Sequence, residues 1–223
     1  MADIARIREM CNVCVRNAPT QRPMPPTELI QPDYPFQKIA ADYFFYAGHT
    51  YLVVVDRYSG WPCVTRCRED SSAELVRLLR VLFCTHGVPE ELATDGASVF
   101  MSVTTKKFLE VWGVSHRVSS AYFPHSNLRA ETGVKSMKRL IKENVGPGGT
   151  VDVDKFAAAL LQYRNTPDRD TLMSPSQVLY ARQLRDIIPT SPERLMLRKE
   201  WVLTKSAREK ALAKRHQVRG DQL

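Results

Sequence analysis

The sequence predicts an α/β fold in which a mixed five-stranded sheet is flanked by helices. Two observations carry this. Runs rich in β-branched and aromatic residues, Phe36 to Tyr46, Thr50 to Asp56 and Trp61 to Cys67, follow one another across the short turns Ala47-Gly48 and Arg57-Tyr58-Ser59-Gly60. That is the pattern of antiparallel hairpins. From Ser71 onward, helical periodicity alternates with short strands, so the later strands are reached through helical crossovers. The expected order is β-β-β-α-β-α-β-α.

At 223 residues and 43% apolar content, the chain can bury one substantial core. Pro23, Pro25, Pro26, Pro32 and Pro35 make residues 23–35 a linker between a first segment, 1–22, and a core over 36–190. Residues 191–223 are charged, mostly basic and weakly periodic, and read as a solvated helix or tail. In the first segment Ile4, Ile7, Cys11 and Cys14 share one helical face. Cys11 and Cys14 read either as small buried thiols or as half of a zinc site. A structural zinc needs four ligands, and the histidines offer no pair at the usual spacing.

Asp42 is the odd residue of its strand, set between Ala40-Ala41 and Tyr43-Phe44-Phe45, where an ionised carboxylate is costly without a cation. A purely structural role would require a basic neighbour that the sequence does not locate. Asp56 closes the second strand and enters a turn, where aspartate is ordinary. Cys63 and Cys67 read as core or edge packing. Ser71 and Glu74 form a capping box ahead of Leu75, Val76, Leu78, Leu79, Leu82 and Phe83, and Gly87-Val88-Pro89 ends that helix.

A strand over Glu91 to Thr94 then delivers Asp95 beside Gly96. Chemistry is often placed at such a strand end. A helix over about Thr104 to Trp112, stopped by Gly113, and a short strand near Val114 to Val118 follow. The turn-rich stretch Tyr122 to Asn127 leads into a helix carrying Glu131. Gly146-Pro147-Gly148-Gly149 breaks the chain. A further helix over Phe156 to Tyr163 ends near Asn165-Thr166-Pro167, and Ser174-Pro175-Ser176-Gln177 is a second capping signature.

The net charge of +8 and pI near 9.4 fit a polyanionic partner, although a basic balance also suits an ordinary soluble surface. No apolar run approaches the ~18 residues of a membrane span and no signal-peptide core is present, so an intracellular protein is expected. Five cysteines without a framework spacing fit a reducing compartment.

Asp42, Asp95 and Glu131 lie on two strands and a helix and can converge on one point. Carboxylates without histidine or cysteine companions suit hard cations, Mg²⁺ or Mn²⁺. Two such ions about 4 Å apart serve in-line phosphoryl substitution, the chemistry of nucleases, polymerases and strand transferases. The phosphate loop of nucleotide hydrolases and the serine elbow of acyl transferases are both missing from the sequence. Glycoside hydrolysis also uses paired carboxylates, but has no need of a basic helix. Lys135 and Lys138 share the helical face of Glu131, with Arg139 and Lys142 adjacent. Such a stripe is commonly a solvated face, and beside a metal-binding glutamate it suits a DNA backbone.

The segments Ala41-Asp42-Tyr43-Phe44, Val55 to Trp61, Thr94-Asp95-Gly96 and Pro124 to Glu131 resemble the catalytic core of retroviral-type integrases, most closely those of gypsy-type long-terminal-repeat retrotransposons. Thirty-five residues lie between Asp95 and Glu131, the spacing of that family. The likeness continues through Tyr163-Arg164-Asn165-Thr166-Pro167 and Ser174-Pro175.

The resemblance implies a ribonuclease-H-like fold and a polynucleotidyl transferase that trims the 3′ ends of element DNA and joins them to target DNA. It implies that Asp42, Asp95 and Glu131 bind two Mg²⁺ or Mn²⁺ ions, and that Asn127, Lys135 and Lys138 lie near the DNA end. A homo-multimer on DNA and a nuclear location follow from the same likeness. Cys11 and Cys14 match the second half of a His-His-Cys-Cys zinc module whose histidines would precede Met1. Zinc is thus expected only in a longer version of the chain, itself a piece of a polyprotein.

Two positions depart from the family. Leu128, in the loop entering the catalytic helix, and the stretch Thr171-Leu172-Met173-Ser174 lack its usual glycines, and a leucine held at positive φ would be strained. The alternative reading is therefore an element-derived DNA-binding protein without transfer activity. A ribonuclease H proper is disfavoured, because no second glutamate is assignable on the first crossover helix.

Overall fold

The computed structural model describes residues 32–118, 128–146, 150–168 and 171–196, with 128–131 described as helical backbone only. The segment 1–22, with Cys11 and Cys14, and Asn127 lie outside the described residues, as do most of the linker and most of the basic tail.

Strands β1 (Lys38–Tyr46), β2 (His49–Asp56) and β3 (Pro62–Arg66) form the antiparallel half of the sheet. Helix α1 (Ser72–His86) crosses to β4 (Glu91–Thr94), and α2 (Ser98–Met101) with α3 (Val103–Val111) leads to β5 (Ser115–Val118). Helices α4 (Leu128–Glu143), α5 (Val153–Asn165) and α6 (Pro175–Tyr180) follow, then a 3₁₀ turn at Pro192–Leu195. The strand order is β3-β2-β1-β4-β5, with β4 parallel to both β1 and β5. This is the predicted mixed sheet.

Each face of the sheet has its own core. Ile39, Ala41, Leu52, Val54 and Leu92 pack with Leu75, Leu79, Phe83, Phe100, Phe108 and Leu109 of α1, α2 and α3. The alternate residues Val53 and Val55 meet Val134 and Met137 of α4, with Leu160 and Tyr163 of α5 behind them. Strand β2 is therefore apolar on both sides, as a central strand must be. At Gly133 of α4 a β-carbon would stand 3.1 Å from both γ-carbons of Val55. The missing side chain lets the helix lie close against the sheet.

Local signals set most boundaries. Ala47 and Gly48 take φ of 49° and 77°, the paired left-handed residues of a tight hairpin. Gly113 at φ 69° follows α3, and Gly87 caps α1 with its N–H on the Phe83 carbonyl. Ser174 and Gln177 form the complete reciprocal capping box expected of them.

Several expectations need correction. Phe36 is not a strand residue: its φ is 60°, and its N–H donates to Asp56 Oδ1 at 2.9 Å. Trp61 likewise precedes β3. Asp56 is no ordinary turn residue, since it is fully buried and also accepts from the N–H groups of Tyr58 and Ser59 and from the Ser59 hydroxyl. It ties the start of the core to the turn after β2. At Ser71 only half of the capping box forms, because the Glu74 carboxylate turns to Arg77 and the Arg68 N–H instead. The helix expected over Thr104 to Trp112 is preceded by the short α2, with Ser102 extended between them and capping α3 through Thr105 N–H.

Candidate active site

Antiparallel pairing with β2 and parallel pairing with β4 hold β1 at the centre of the sheet, and the site grows from that arrangement. The parallel register ends at Ala40–Ala93. Asp42 and Asp95 each lie two residues beyond this pair, where the two strands part. Alternation puts Ala40, Asp42 and Phe44 on the sheet face that α4 covers. Ala93 shares that face through its contact with Ala40, and Asp95 follows two residues later, just past the end of β4.

Asp42 is half-buried and has a partner. The Lys138 ammonium donates to its Oδ2 at 2.8 Å and lies 5.6 Å from the ring centroid of Phe44. One turn later, Lys142 stands 5.7 Å from the ring of Tyr46. The row Asp42, Phe44, Tyr46 on the strand is thus matched by the row Lys138, Lys142 on the helix. Lysine heads above aromatic faces gain electrostatically while remaining available to anions.

Asp95 is exposed, as its place beside Gly96 predicted. Its Oδ1 accepts from the Ala97 N–H at 3.1 Å, and among the described residues Oδ2 has no partner. The preceding Thr94 is buried, and its hydroxyl lies 2.8 Å from the Asp95 carbonyl and 2.8 Å from His116 Nε2. Burial lowers the His116 pKa, and nearby Lys106 lowers it further.

Glu131 lies in α4 seven residues before Lys138, a spacing that puts both on one helical face. Its side chain is outside the described residues. Lys135, four residues on from Glu131, is exposed. Among the described residues no group of three or more histidine, cysteine, aspartate or glutamate side chains is assembled for a metal. Asp42 and Asp95 offer only oxygen donors, and Asp42 already holds the Lys138 ammonium. That chemistry fits a hard divalent ion.

Leu128 is the first residue of α4 and not a loop residue, so the strain expected there does not arise. Leu172 does sit at φ 53°. The Tyr163 to Pro167 motif is architectural. Arg164 stacks 4.1 Å from the Trp61 ring centroid and donates to the Pro62 carbonyl at 2.8 Å, while Asn165 links the Ser176 hydroxyl to the Leu184 backbone. The partnership of Asp42 with Lys138 and the Thr94–His116 contact were missed by sequence reasoning. No local signal marks either, since each joins segments distant in the chain.

Comparison with known proteins gives concordant matches. Residues 32–124 match the integrase core domain family. An uncharacterized protein of Caenorhabditis elegans is 30% identical over 186 residues, covering 82% of this chain and 15% of that protein. The Gag-Pol polyprotein of avian reticuloendotheliosis virus is 32% identical over 136 residues, covering 60% of this chain and 12% of the polyprotein. The chain thus spans only a small part of the length of these relatives.

Among solved structures, the simian T-cell lymphotropic virus intasome in complex with PP2A regulatory subunit B56 gamma aligns with a TM-score of 0.63 at 20% identity. That alignment covers 86% of this chain and 70% of the other. The catalytic core domain of BIV integrase aligns at 0.55 and 14%, covering 66% and 95%. The fold is that of these cores, ribonuclease-H-like.

Proposed function

We propose, from the match of residues 32–124 to the integrase core domain family, that the chain is a metal-dependent polynucleotidyl transferase that processes the 3′ ends of retrotransposon DNA and joins them to target DNA. The reading is supported by the β1–β4 register, whose last pair lies two residues before both Asp42 and Asp95, and by the Lys138–Asp42 pair, which sets the helix of Glu131 against β1. Asp42, Asp95 and Glu131 would hold the ions. When bound, Mg²⁺ or Mn²⁺ supplies activation of the attacking oxygen and stabilisation of the leaving one.

The chain's own groups do the rest. Lys138 and Lys142 present positive charge along the line from Asp42 to the end of β1, where a phosphate backbone would be neutralised. Lys135 and Asn127 would extend that grip toward the DNA end. In end processing, water attacks the scissile phosphorus and the 3′ oxygen of the element departs with a proton. In joining, that 3′ hydroxyl attacks a target phosphodiester and the target's own 3′ oxygen leaves. Acting on chromosomal DNA would require a nuclear location, and joining two element ends would require a multimer.

The test is disintegration of a branched DNA substrate with Mn²⁺, comparing the chain with Asp95→Asn and Glu131→Gln. Product that both substitutions abolish is expected. DNA binding without metal-dependent product from any of the three proteins would replace this reading with that of an element-derived DNA-binding protein. Cleavage confined to RNA in a hybrid would indicate a ribonuclease H.

A further inference from the structure

We infer that His116 is a positioning residue for Asp95, acting through Thr94 from the opposite face of the sheet. The inference rests on the transferase reading for its consequence, and on hydrogen-bond geometry for its content. Thr94 has one hydroxyl proton and two neighbours, the Asp95 carbonyl at 2.8 Å and His116 Nε2 at 2.8 Å. A carbonyl can only accept. The Thr94 proton therefore goes to the Asp95 oxygen, and the Thr94 oxygen accepts from His116, which must carry its proton on Nε2. The chain of donors runs His116 to Thr94 to the Asp95 backbone.

The sheet register explains why this chain of donors acts from behind. Leu92 pairs with His116 and Thr94 with Val118, so the Thr94 and His116 side chains project to the face of Leu92, which belongs to the α1–α3 core. Asp42, paired with Val53, belongs to the other face. Thr94 is the last residue of β4, beyond which the ladder no longer restrains the chain. The Asp95 peptide carbonyl has left the strand pairing and is held by the Thr94 hydroxyl instead. Among the described residues, the carboxylate itself is held by the Ala97 N–H. Orienting the peptide thus orients the carboxylate without adding any group to the DNA path. Outer partners that orient metal ligands typically govern metal affinity by 10–100-fold.

The full chain tests this with two readouts. The ¹⁵N shifts of the His116 ring report its tautomer, and titration with Mn²⁺ followed by electron paramagnetic resonance reports affinity. Nε2–H in the free chain is expected, with Mn²⁺ binding weakened about tenfold by His116→Leu and Thr94→Val. His116→Gln, which returns a donor near the Nε2 position, and Thr94→Ser should restore affinity to within about threefold of the parent, whereas loss of packing alone would not be rescued this way. Thermal melts of all variants confirm that folded protein is compared.

An Nδ1–H tautomer overturns the inference, as does unchanged affinity in His116→Leu. Failure of the transferase reading looks different: the ring shows Nε2–H, but the parent's Mn²⁺ binding is absent or indifferent to Asp95→Asn. That outcome also removes the positioning role.

Discussion

Lys138 Nζ lies 2.8 Å from Asp42 Oδ2, joining a helix and a strand that are 96 residues apart. The pair supplies the cation that an aspartate inside a strand requires. On the proposed metal role of Asp42 it also sets a competition, because an incoming metal and the ammonium would want the same carboxylate oxygen.

Replacing Lys138 by Met separates the two roles. With side chains about a third exposed, at 34% and 30%, the pair contributes about 1 kcal/mol or less. Removing the competitor should therefore strengthen Mn²⁺ binding to the DNA-free chain by up to roughly fivefold. DNA binding should weaken, and more so at low salt, where phosphate contacts count most. Calorimetric Mn²⁺ titration and DNA binding across a salt series check both. Weaker Mn²⁺ binding in Lys138→Met would mean that the lysine organises the acid site and does not compete within it.

Much of the fold was legible because its signals are local. The Ala47-Gly48 turn, Gly87, Gly113 and the Ser174 cap each declare a boundary within a few residues of sequence. Alternation in β2 and helical spacing in α1 declare the buried faces. The acids were legible by contrast with their strands and by their spacing. Less of the site's surroundings was readable, because proximity across the sheet has no local trace. Asp56 illustrates this: its residue type suits a turn, but its burial and its bond to Phe36 N–H depend on where the preceding chain passes. The Lys138 partner of Asp42 and the His116 partner of Thr94 are missing from the sequence for the same reason.

Glu74 provides a pH test of stability. Its carboxylate accepts from Arg77 Nε at 2.6 Å and Nη2 at 2.8 Å, and from Arg68 N–H at 3.1 Å. The bond from Arg77, ahead of all other causes, lowers its pKa from the usual 4.5 to about 2. A carboxylate depressed on folding stabilises fully above its unfolded pKa, and the contribution is lost as pH falls toward the folded one. Glu74→Gln should therefore be less stable than the parent at pH 7, with the gap narrowing between about pH 4.5 and 2. Urea midpoints at pH 7, 4 and 3 measure the gap; a gap of constant size would sink the assignment.

Leu128 and Leu172, each in a stretch where the sequence led us to expect a glycine, should respond in opposite ways. Leu172 is exposed at φ 53°, and a left-handed backbone costs an L-residue roughly 1–2 kcal/mol. Part of that gain is offset in Leu172→Gly by the greater freedom of the unfolded chain. A net stabilisation of about 0.5–1 kcal/mol is expected, a rise of roughly 1–4 °C in Tm. Leu128 opens α4, where glycine is a poorer helix former, so Leu128→Gly should lose up to about 1 kcal/mol. Paired thermal melts decide the matter. Stabilisation at both positions would show that Leu128 carries strain after all.

Gly133 tests how closely α4 must sit for its acid to reach the site. Glycine costs a helix interior about 1 kcal/mol relative to alanine, so on propensity alone Gly133→Ala should stabilise. The added methyl would, however, meet both γ-carbons of Val55 at 3.1 Å, and Val55 is fully buried in β2 with little room to yield. Overpacking of this kind typically costs 1–3 kcal/mol, which outweighs the propensity gain. The expected result is a modest net destabilisation, accompanied by reduced metal-dependent turnover because the helix carrying Glu131 is lifted from β2. In a Val55→Ala background the clash is absent, and the same substitution should become stabilising. A double-mutant cycle from chemical denaturation reads this reversal of sign directly. If Gly133→Ala stabilises both backgrounds equally, the helix has slack against the sheet, and the close approach at Gly133 does not set the height of Glu131.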